Sequence, residues 1–133
     1  KAEAWVKEYG GGAAPTPKAA AAGAEIVFAC VGNDADLRAV TLGADGAFQA
    51  MAPGAVFVDH TTASADIARE LDAAARERGL AFIDAPVSGG NLGAINGALT
   101  VMCGGDAEAF ARIQPVAMAF SKAVTLLGPA GSG

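Results

Sequence analysis

Residues 55–84 read AVFVDHTTASADIARELDAAARERGLAFID, and this stretch decides the fold class. Two apolar runs of strand length, residues 55–58 and 80–83, open and close it, and an aspartate follows each run. Ser64 is a good N-cap for the helix that the apolar stripe between the runs predicts over residues 65–78. A strand, a helix and a second strand in this order are typical of a parallel sheet covered on both faces.

The same alternation extends over the rest of the chain. Thr16 and Asp106 are further N-cap candidates, and Pro115 is expected to kink the helix predicted over residues 107–120. We therefore predict one doubly wound, Rossmann-type α/β domain with a mainly parallel sheet over residues 1–133. The other predicted strands are residues 26–31, 99–103 and 123–127, and the predicted loops are residues 84–98 and 128–133.

The composition excludes several classes of protein. With 133 residues, 53% of them hydrophobic and 17% charged, the chain is long enough for one domain with a substantial core. Its 14 acidic and 9 basic residues give a net charge of -5, which argues against nucleic acid as a partner. No apolar run approaches the ~20 residues that a membrane span needs. We expect a soluble, cytoplasmic protein.

Cysteine and histidine are too scarce for a metal site. Two cysteines and one histidine cannot form a ligand cluster of thiols and imidazoles, so we predict no metal. Cys30 and Cys103 both lie in apolar runs, and we expect both to be small buried thiols.

Polar and glycine residues follow the predicted strands. Right-handed crossovers place the carboxyl ends of parallel strands at one edge of the sheet, where such sheets bind ligands. After the third strand, Gly89 and Gly90 allow backbone N–H groups to face an anion, and the hydroxyl of Ser88 adds a donor. The segment suits a small carboxylate, and an ordinary glycine-rich turn is the alternative. The three segments at this edge are residues 31–34, 59–62 and 84–90.

The longer stretch of residues 84–100, DAPVSGGNLGAINGALT, is more specific than its Ser-Gly-Gly core. It resembles the substrate-binding signature of the β-hydroxyacid dehydrogenases, the family of 3-hydroxyisobutyrate dehydrogenase, tartronate semialdehyde reductase and 6-phosphogluconate dehydrogenase. Residues 28–40, 56–62 and 99–105 resemble three more segments of the family, in the family's order. The resemblance covers essentially the whole chain.

The resemblance implies a nicotinamide cofactor, NAD or NADP. Val31 and Gly32 would lie against the nicotinamide nucleotide, although the family more often has Leu-Pro at these two positions. Asp36 matches a position that contacts the cofactor in relatives. Thr62 matches a threonine beside the nicotinamide and the substrate.

The resemblance also implies a substrate. Ser88, Gly89 and Gly90 would bind the carboxylate of a small 3-hydroxy acid, which hydride transfer interconverts with its semialdehyde. The family's catalytic lysine sits beyond Gly133, so we predict no catalytic residue within this chain. The family's first strand, its G-x-G-x-x-G phosphate-binding turn and its helical second domain have no counterpart here. We therefore expect a homo-oligomeric dehydrogenase as the parent protein and no activity from this segment alone.

We expect the other ionisable residues near the predicted strand ends to have structural rather than catalytic roles. Lys122 precedes the last predicted strand and is interpreted as a solvated surface residue. His60 neighbours Thr62, but the matching family position carries no proton transfer, so His60 is not assigned a catalytic role. Asp59 and Asp84 are expected to bond nearby loop N–H groups.

Two alternative functions stay open. The first is a noncatalytic binding or interaction domain that keeps the fold and has lost the chemistry. A residue other than lysine at the expected catalytic position of the full-length chain would favour it. The second is a relative that reduces imines on the same scaffold. The Ser-Gly-Gly anion site argues against this second alternative, because imine substrates need no such site.

Overall fold

The apolar runs of the sequence form the strands of a six-stranded sheet in a computed structural model that describes all residues 1–133. None of the helices combines the length and the apolar character needed to cross a membrane. The strands are β1 (Ile26–Ala29), β2 (Val56–Asp59), β3 (Ala81–Asp84), β4 (Val87–Ser88), β5 (Leu99–Gly105) and β6 (Ser121–Gly128). The helices are α1 (Ala2–Tyr9), α2 (Pro17–Ala21), α3 (Asp34–Leu42), α4 (Ala65–Arg76), α5 (Gly90–Ile95) and α6 (Ala107–Ala117), with 3₁₀ turns at Ala47–Gln49 and Met118–Phe120.

The first three strands are parallel and aligned. Ala29 of β1 lies opposite Asp59 of β2, which lies opposite Asp84 of β3. Strand β5 runs antiparallel to β3 and β4, and β6 runs parallel to β5. The predicted Rossmann-type, mainly parallel sheet is therefore confirmed. Strand β5 is reversed because the chain returns from β3 through β4 and the short α5, without the long crossover that parallel pairing needs.

Helix boundaries follow the predicted caps. The hydroxyl of Ser64 accepts a hydrogen bond from the N–H of Ile67 at 3.2 Å at the start of α4. The side chains of Thr16 and Asp106 accept equivalent bonds at the starts of α2 and α6. Helix α4 ends at Arg76, two residues before the predicted end.

Two hydrophobic cores cover the two faces of the sheet. Side chains alternate between the faces along a strand, so Phe57 of β2 enters one core while its neighbours Val56 and Val58 enter the other. Leu71 of α4 packs in the first core and Ile113 of α6 in the second. The candidate functional site lies at one end of this sheet, where β1, β2 and β3 end.

The predicted loop over residues 84–98 and the predicted burial of Cys30 are both wrong. Residues 84–98, predicted as a loop, contain β4 and α5, whose small residues give no periodic apolar signal. Cys30 is exposed rather than buried, because it follows the end of β1 and leaves the sheet. Cys103 is buried in β5 as predicted, and burial raises the pKa of its thiol to about 11.

Candidate functional site at the carboxyl edge

The carboxyl ends of β1, β2 and β3 lie side by side at one edge of the sheet, which we call the carboxyl edge. Their last residues, Ala29, Asp59 and Asp84, are in register. The loops that follow these strands are therefore neighbours, as the sequence predicts. They contain all the residues expected to meet a cofactor or a substrate.

Thr61 joins the loops that follow β1 and β2. Its hydroxyl accepts a hydrogen bond from the N–H of Val31 at 3.0 Å, and its own N–H donates to the Asp59 carboxylate at 2.9 Å. Only 3% of Thr61 is exposed, so its hydroxyl is largely shielded from bulk water. Sequence reasoning assigned Thr61 no role. The available signal was a hydroxyl residue two positions after a strand-end aspartate.

A second connection joins the same two loops farther from the sheet. Asp34 of α3 accepts hydrogen bonds from the Ser64 hydroxyl at 2.5 Å and from the Ser64 N–H at 2.9 Å. These bonds hold the pKa of the Asp34 carboxyl below its ordinary value. Next to them, the Arg38 guanidinium donates two hydrogen bonds to the Glu70 carboxylate, at 2.7 and 2.6 Å, and so links α3 to α4.

The residues predicted to face the cofactor lie on these connected loops. Val31 is half-buried, whereas Gly32, Asp36 and Thr62 are exposed. Asn33 fixes Asp36, because its side-chain oxygen accepts the Asp36 N–H at 2.9 Å and its amide donates to the Asp36 carboxylate at 3.1 Å. The four residues are thus presented on adjoining loops with the carboxylate of Asp36 accessible.

Glycine at position 32 permits the placement of Asp36. A Cβ atom at this position would lie 2.8 Å from Oδ2 of Asp36, which is inside van der Waals contact. The Asp36 carboxylate therefore lies against the backbone of Gly32, where a side chain would otherwise stand. The departure from the Leu-Pro that is commoner in the family leaves room for an acidic side chain here.

The predicted substrate segment spans the end of β4 and the start of α5. Ser88 is exposed and pairs with Thr100 in β5. Gly89 and Gly90 have φ angles of 129° and 59°, a region that side-chain-bearing residues rarely adopt. The first N–H groups of a helix have no partner within the helix, so this turn can offer donors to an anion beside the Ser88 hydroxyl.

The end of the chain is anchored at the carboxyl edge, which corrects the prediction of a trailing loop over residues 128–133. The Asp84 carboxylate accepts the N–H of Gly131 at 2.8 Å and the N–H of Gly133 at 2.7 Å. The prediction that Asp59 and Asp84 bond loop N–H groups is thereby confirmed. The partners of Asp84 were missed because they lie 47 and 49 residues away in sequence.

A cavity of about 60 Å³ lies between the anchored end and the loop after β2. Burial raises the pKa of the Asp59 carboxyl at its floor, while the hydrogen bonds from Thr61 oppose this shift and the nearby Asp84 adds to it. The polar groups around the cavity are thus a buried acid and backbone amides. Its polar and glycine lining consists of Asp59, Thr61, Ser64, Asp84, Gly131 and Gly133.

His60 is enclosed by aromatic rings. Its Nδ1 lies 2.6 Å from the carbonyl oxygen of Ala85, so Nδ1 carries the proton in this contact. The rings of Phe28 and Phe120 lie 5.6 and 5.7 Å from the imidazole, and Nε2 is buried without a hydrogen-bond partner. The imidazole is oriented by the loop after β3 and does not face the cavity lining.

The remaining candidates lie outside the carboxyl-edge site. Lys122 is exposed, in agreement with its interpretation as a surface residue, and it lies within β6 rather than before it. No group of three or more histidine, cysteine, aspartate or glutamate side chains is arranged to hold a metal ion.

Parallel strands whose carboxyl ends carry glycine-rich and hydroxyl-bearing loops define a nucleotide-binding α/β domain. The family model for the NAD binding domain of 6-phosphogluconate dehydrogenase matches residues 1–128. The chain belongs to this family. The resemblance that the sequence motifs indicated is thereby confirmed.

Individual relatives agree with this assignment. An uncharacterized oxidoreductase of Shewanella frigidimarina is 58% identical over 133 residues, which are 100% of this chain and 46% of the relative. An NAD-dependent L-serine dehydrogenase of Pseudomonas aeruginosa is 40% identical over 124 residues, 93% of this chain and 42% of the relative. The crystal structure of 3-hydroxyisobutyrate dehydrogenase from Salmonella typhimurium superposes with a TM-score of 0.90 at 33% identity, covering 99% of this chain and 46% of that one. The chain thus spans less than half the length of these relatives.

Proposed function

We propose that residues 1–133 form part of a dehydrogenase that interconverts a small 3-hydroxy acid and its semialdehyde, with NAD or NADP as cofactor. The observation that carries this proposal is the exposed Ser88 hydroxyl beside two glycines in left-handed conformations, Gly89 and Gly90. These groups lie on the loop after β3, at the same edge as the two connected loops. A small carboxylate is the ligand that such a group of donors favours.

The connected loops fit the nicotinamide half of a dinucleotide. Asp36 offers accessible carboxylate oxygens as acceptors for ribose hydroxyls, and Val31 offers an apolar surface. The G-x-G-x-x-G pattern that holds a pyrophosphate does not occur in residues 1–133. The proposal therefore assigns the phosphates to no residue of this chain.

The chain contributes orientation and charge placement. When bound, the cofactor accepts or supplies the hydride. Ser88 and the first N–H groups of α5 hold the substrate carboxylate, and the hydroxyl of Thr62 faces the reacting end of the substrate. Proton transfer belongs to the lysine that the family resemblance places beyond Gly133. We propose accordingly that residues 1–133 by themselves do not turn over substrate.

Replacement of Ser88 tests the carboxylate site. In the full-length protein, Ser88→Ala removes one donor to a charged ligand, so kcat/KM for a 3-hydroxy acid should fall about tenfold or more. The Kd for NADH should not change, because the cofactor loops are untouched. Both quantities are measured by steady-state assay with NAD and NADP and by titration of NADH fluorescence.

Thr125→Ala is the matched control, because Thr125 is an exposed hydroxyl residue on β6 to which the proposal gives no contact with cofactor or substrate. It should leave kcat/KM at the wild-type value. Wild-type kinetics in Ser88→Ala would contradict the site assignment. A full-length protein that oxidises no 3-hydroxy acid with either cofactor would contradict the proposed reaction and favour a noncatalytic domain.

Two further parts of the proposal concern the full-length protein as a whole. We propose that it is cytoplasmic and homo-oligomeric, and that its partner is a small hydroxy acid rather than nucleic acid or a membrane. The net charge of -5 supports the exclusion of nucleic acid. Light scattering of the purified full-length protein measures its oligomeric state directly.

A further inference from the structure

Both oxygens of the Asp84 carboxylate accept hydrogen bonds from one short segment of backbone. Its Oδ1 accepts the N–H of Gly131 and its Oδ2 accepts the N–H of Gly133. Only 6% of Asp84 is exposed, so the two N–H donors replace water around a nearly buried carboxylate. Hydrogen bonds to an ionised acceptor are stronger than those between neutral groups. The segment of residues 129–133, which we call the tail, is thereby fixed without secondary structure of its own.

Glycines on the neighbouring strands make room for this arrangement. Gly104 of β5 lies opposite Asp84 in the sheet. A Cβ atom on Gly104 would lie 2.7 Å from Oδ1 of Asp84, from the Pro129 carbonyl oxygen and from the Ser132 nitrogen. A Cβ atom at the end of β6, on Gly128, would lie 2.8 Å from the Ser132 hydroxyl oxygen. The absence of side chains at Gly104 and Gly128 therefore leaves the space that the tail occupies against the sheet.

The tail also contacts the helix layer. A Cβ atom on Gly131, whose φ is +88°, would lie 3.1 Å from the Ala65 carbonyl oxygen and 3.3 Å from Nε of Arg69. Gly131 and Gly133 line the cavity at the carboxyl edge together with Asp59 and Thr61. None of the residues predicted to bind cofactor or substrate lines it. The tail thus forms one wall of this cavity, and Asp84 sets the position of that wall.

We propose that Asp84 is a positioning residue that holds the tail against the carboxyl edge and so fixes where the polypeptide leaves the sheet beside the candidate site. This inference rests on the proposed function, in which the proton-transferring lysine follows Gly133. Misplacement of a reacting group by about 1 Å can lower a rate by about 10²-fold. Asp84 touches neither cofactor nor substrate in this proposal and acts through the tail.

Asp84→Asn in the full-length protein tests the proposal. An asparagine keeps the size of the side chain, but its oxygen can accept from one tail amide while its NH₂ group faces the other. Hydrogen exchange of a peptide covering residues 128–133 should become at least tenfold faster. The value of kcat should fall at least tenfold, while the Kd for NADH stays within a factor of two.

Two further variants keep the test decisive if Asp84→Asn folds poorly. Gly131→Ala retains the carboxylate but disfavours the tail conformation, because φ is +88° there. It should reproduce both the faster exchange and the lower kcat. Asp106→Asn is the matched control, because Asp106 also accepts two backbone amides, at the start of α6, and asparagine caps a helix equally well. It should change neither quantity.

The outcomes separate this inference from the proposed function. Unchanged tail exchange in both Asp84→Asn and Gly131→Ala would overturn the anchor. Faster exchange with an unchanged kcat would overturn the positioning role. If the wild-type protein lacks 3-hydroxy acid dehydrogenase activity, the proposed function fails and the positioning role fails with it, while the exchange measurement still decides the anchor.

Discussion

At the scale of single residues, the nearly buried Thr61 connects two loops of the carboxyl edge. Its hydroxyl accepts the N–H of Val31, while the N–H of Thr61 donates to Asp59. One residue thus connects the buried end of β2 to the loop that is proposed to face the cofactor. Thr62, the neighbour that the family resemblance singles out, is exposed instead. The first threonine of the pair supports the loop on which the second is presented.

Thr61→Val should lower the free energy of unfolding by about 1 kcal/mol or more, because the half-buried Val31 N–H loses its acceptor. Thr61→Ser keeps the hydroxyl and should lie much closer to wild type. Urea unfolding followed by circular dichroism measures both variants. A valine variant as stable as wild type, or a serine variant no more stable than the valine one, would contradict a stabilising role of the hydroxyl.

At the scale of secondary-structure elements, α3 and α4 are held together by polar contacts that extend to the loops of the carboxyl edge. Asp34 binds Ser64 through two hydrogen bonds, and Arg38 binds Glu70 through two more. Both pairs join helices that follow different strands. The relative position of these helices therefore sets the separation of the two loops that are proposed to face the cofactor.

The Asp34–Ser64 contact should make stability depend on acid pH. The pKa of Asp34 is lowered from its ordinary value of 3.8, so the native state binds this proton more weakly than the unfolded state. The stabilisation is fully present above the ordinary pKa and is lost as pH falls through the lowered one. Asp34→Asn should therefore be less stable than wild type at neutral pH, and the difference should shrink as the pH falls below 3.8.

Urea unfolding from neutral to acid pH checks this expectation. Ser64→Ala should lose part of this pH dependence, because it removes the hydroxyl donor to Asp34 and keeps the backbone N–H donor of residue 64. Adding Asp34→Asn to Ser64→Ala should then remove the part that remains. A constant difference between wild type and Asp34→Asn across the acid range would contradict the assignment.

Local signals explain which elements could be predicted from the sequence. Ser64 and Asp106 cap helices through side chains two or three residues from their partners, and the apolar runs that form β1, β2 and β3 are continuous. Helix α5 has neither a side-chain cap nor an apolar stripe, so it was missed. The contact of Asp84 with the tail depends on strand order, because β5 and β6 must first bring the tail back to the carboxyl edge.

The position of the candidate site could be predicted from the sequence, but its supporting contacts could not. The strand-end position of its loops follows from the parallel order of β1, β2 and β3. The roles of Val31, Gly32, Asp36 and Thr62 come from the family resemblance, and they stay predictions. The supporting role of Thr61 was not predicted, because its contact with Val31, 30 residues away in sequence, depends on the alignment of β1 and β2.

At the scale of the whole molecule, one sheet is shared by two cores of different composition. The core under α4 contains three phenylalanine rings, from Phe48, Phe57 and Phe82, in edge and stacked contacts. The core under α6 consists mainly of valine, alanine and isoleucine side chains. Alternate residues of the same strands enter the two cores. The separation of either helix layer would therefore expose the apolar side chains of one whole face of the shared sheet.

Leu71→Ala and Ile113→Ala should therefore weaken one common unfolding transition. Each removes a side chain that is 0% exposed, one from each core, and should lower the free energy of unfolding by about 2–5 kcal/mol. Leu92→Ala, at a position 72% exposed, should change it by less than about 0.5 kcal/mol. Urea unfolding followed by circular dichroism and by limited proteolysis measures all three. Two separate transitions in either core variant would contradict a single cooperative unit.

Strand β1 has a hydrogen-bonded neighbour, β2, on one side only. Its other side borders an open apolar groove of about 300 Å³, which includes Val27, Phe28 and Phe57. Unpaired backbone groups next to apolar side chains are a template for pairing between molecules. The net charge of -5 opposes such encounters at a distance but cannot prevent them at contact. Residues 1–133 expressed on their own should therefore self-associate through the β1 edge as their concentration rises, and a segment or partner that pairs with β1 should suppress this association.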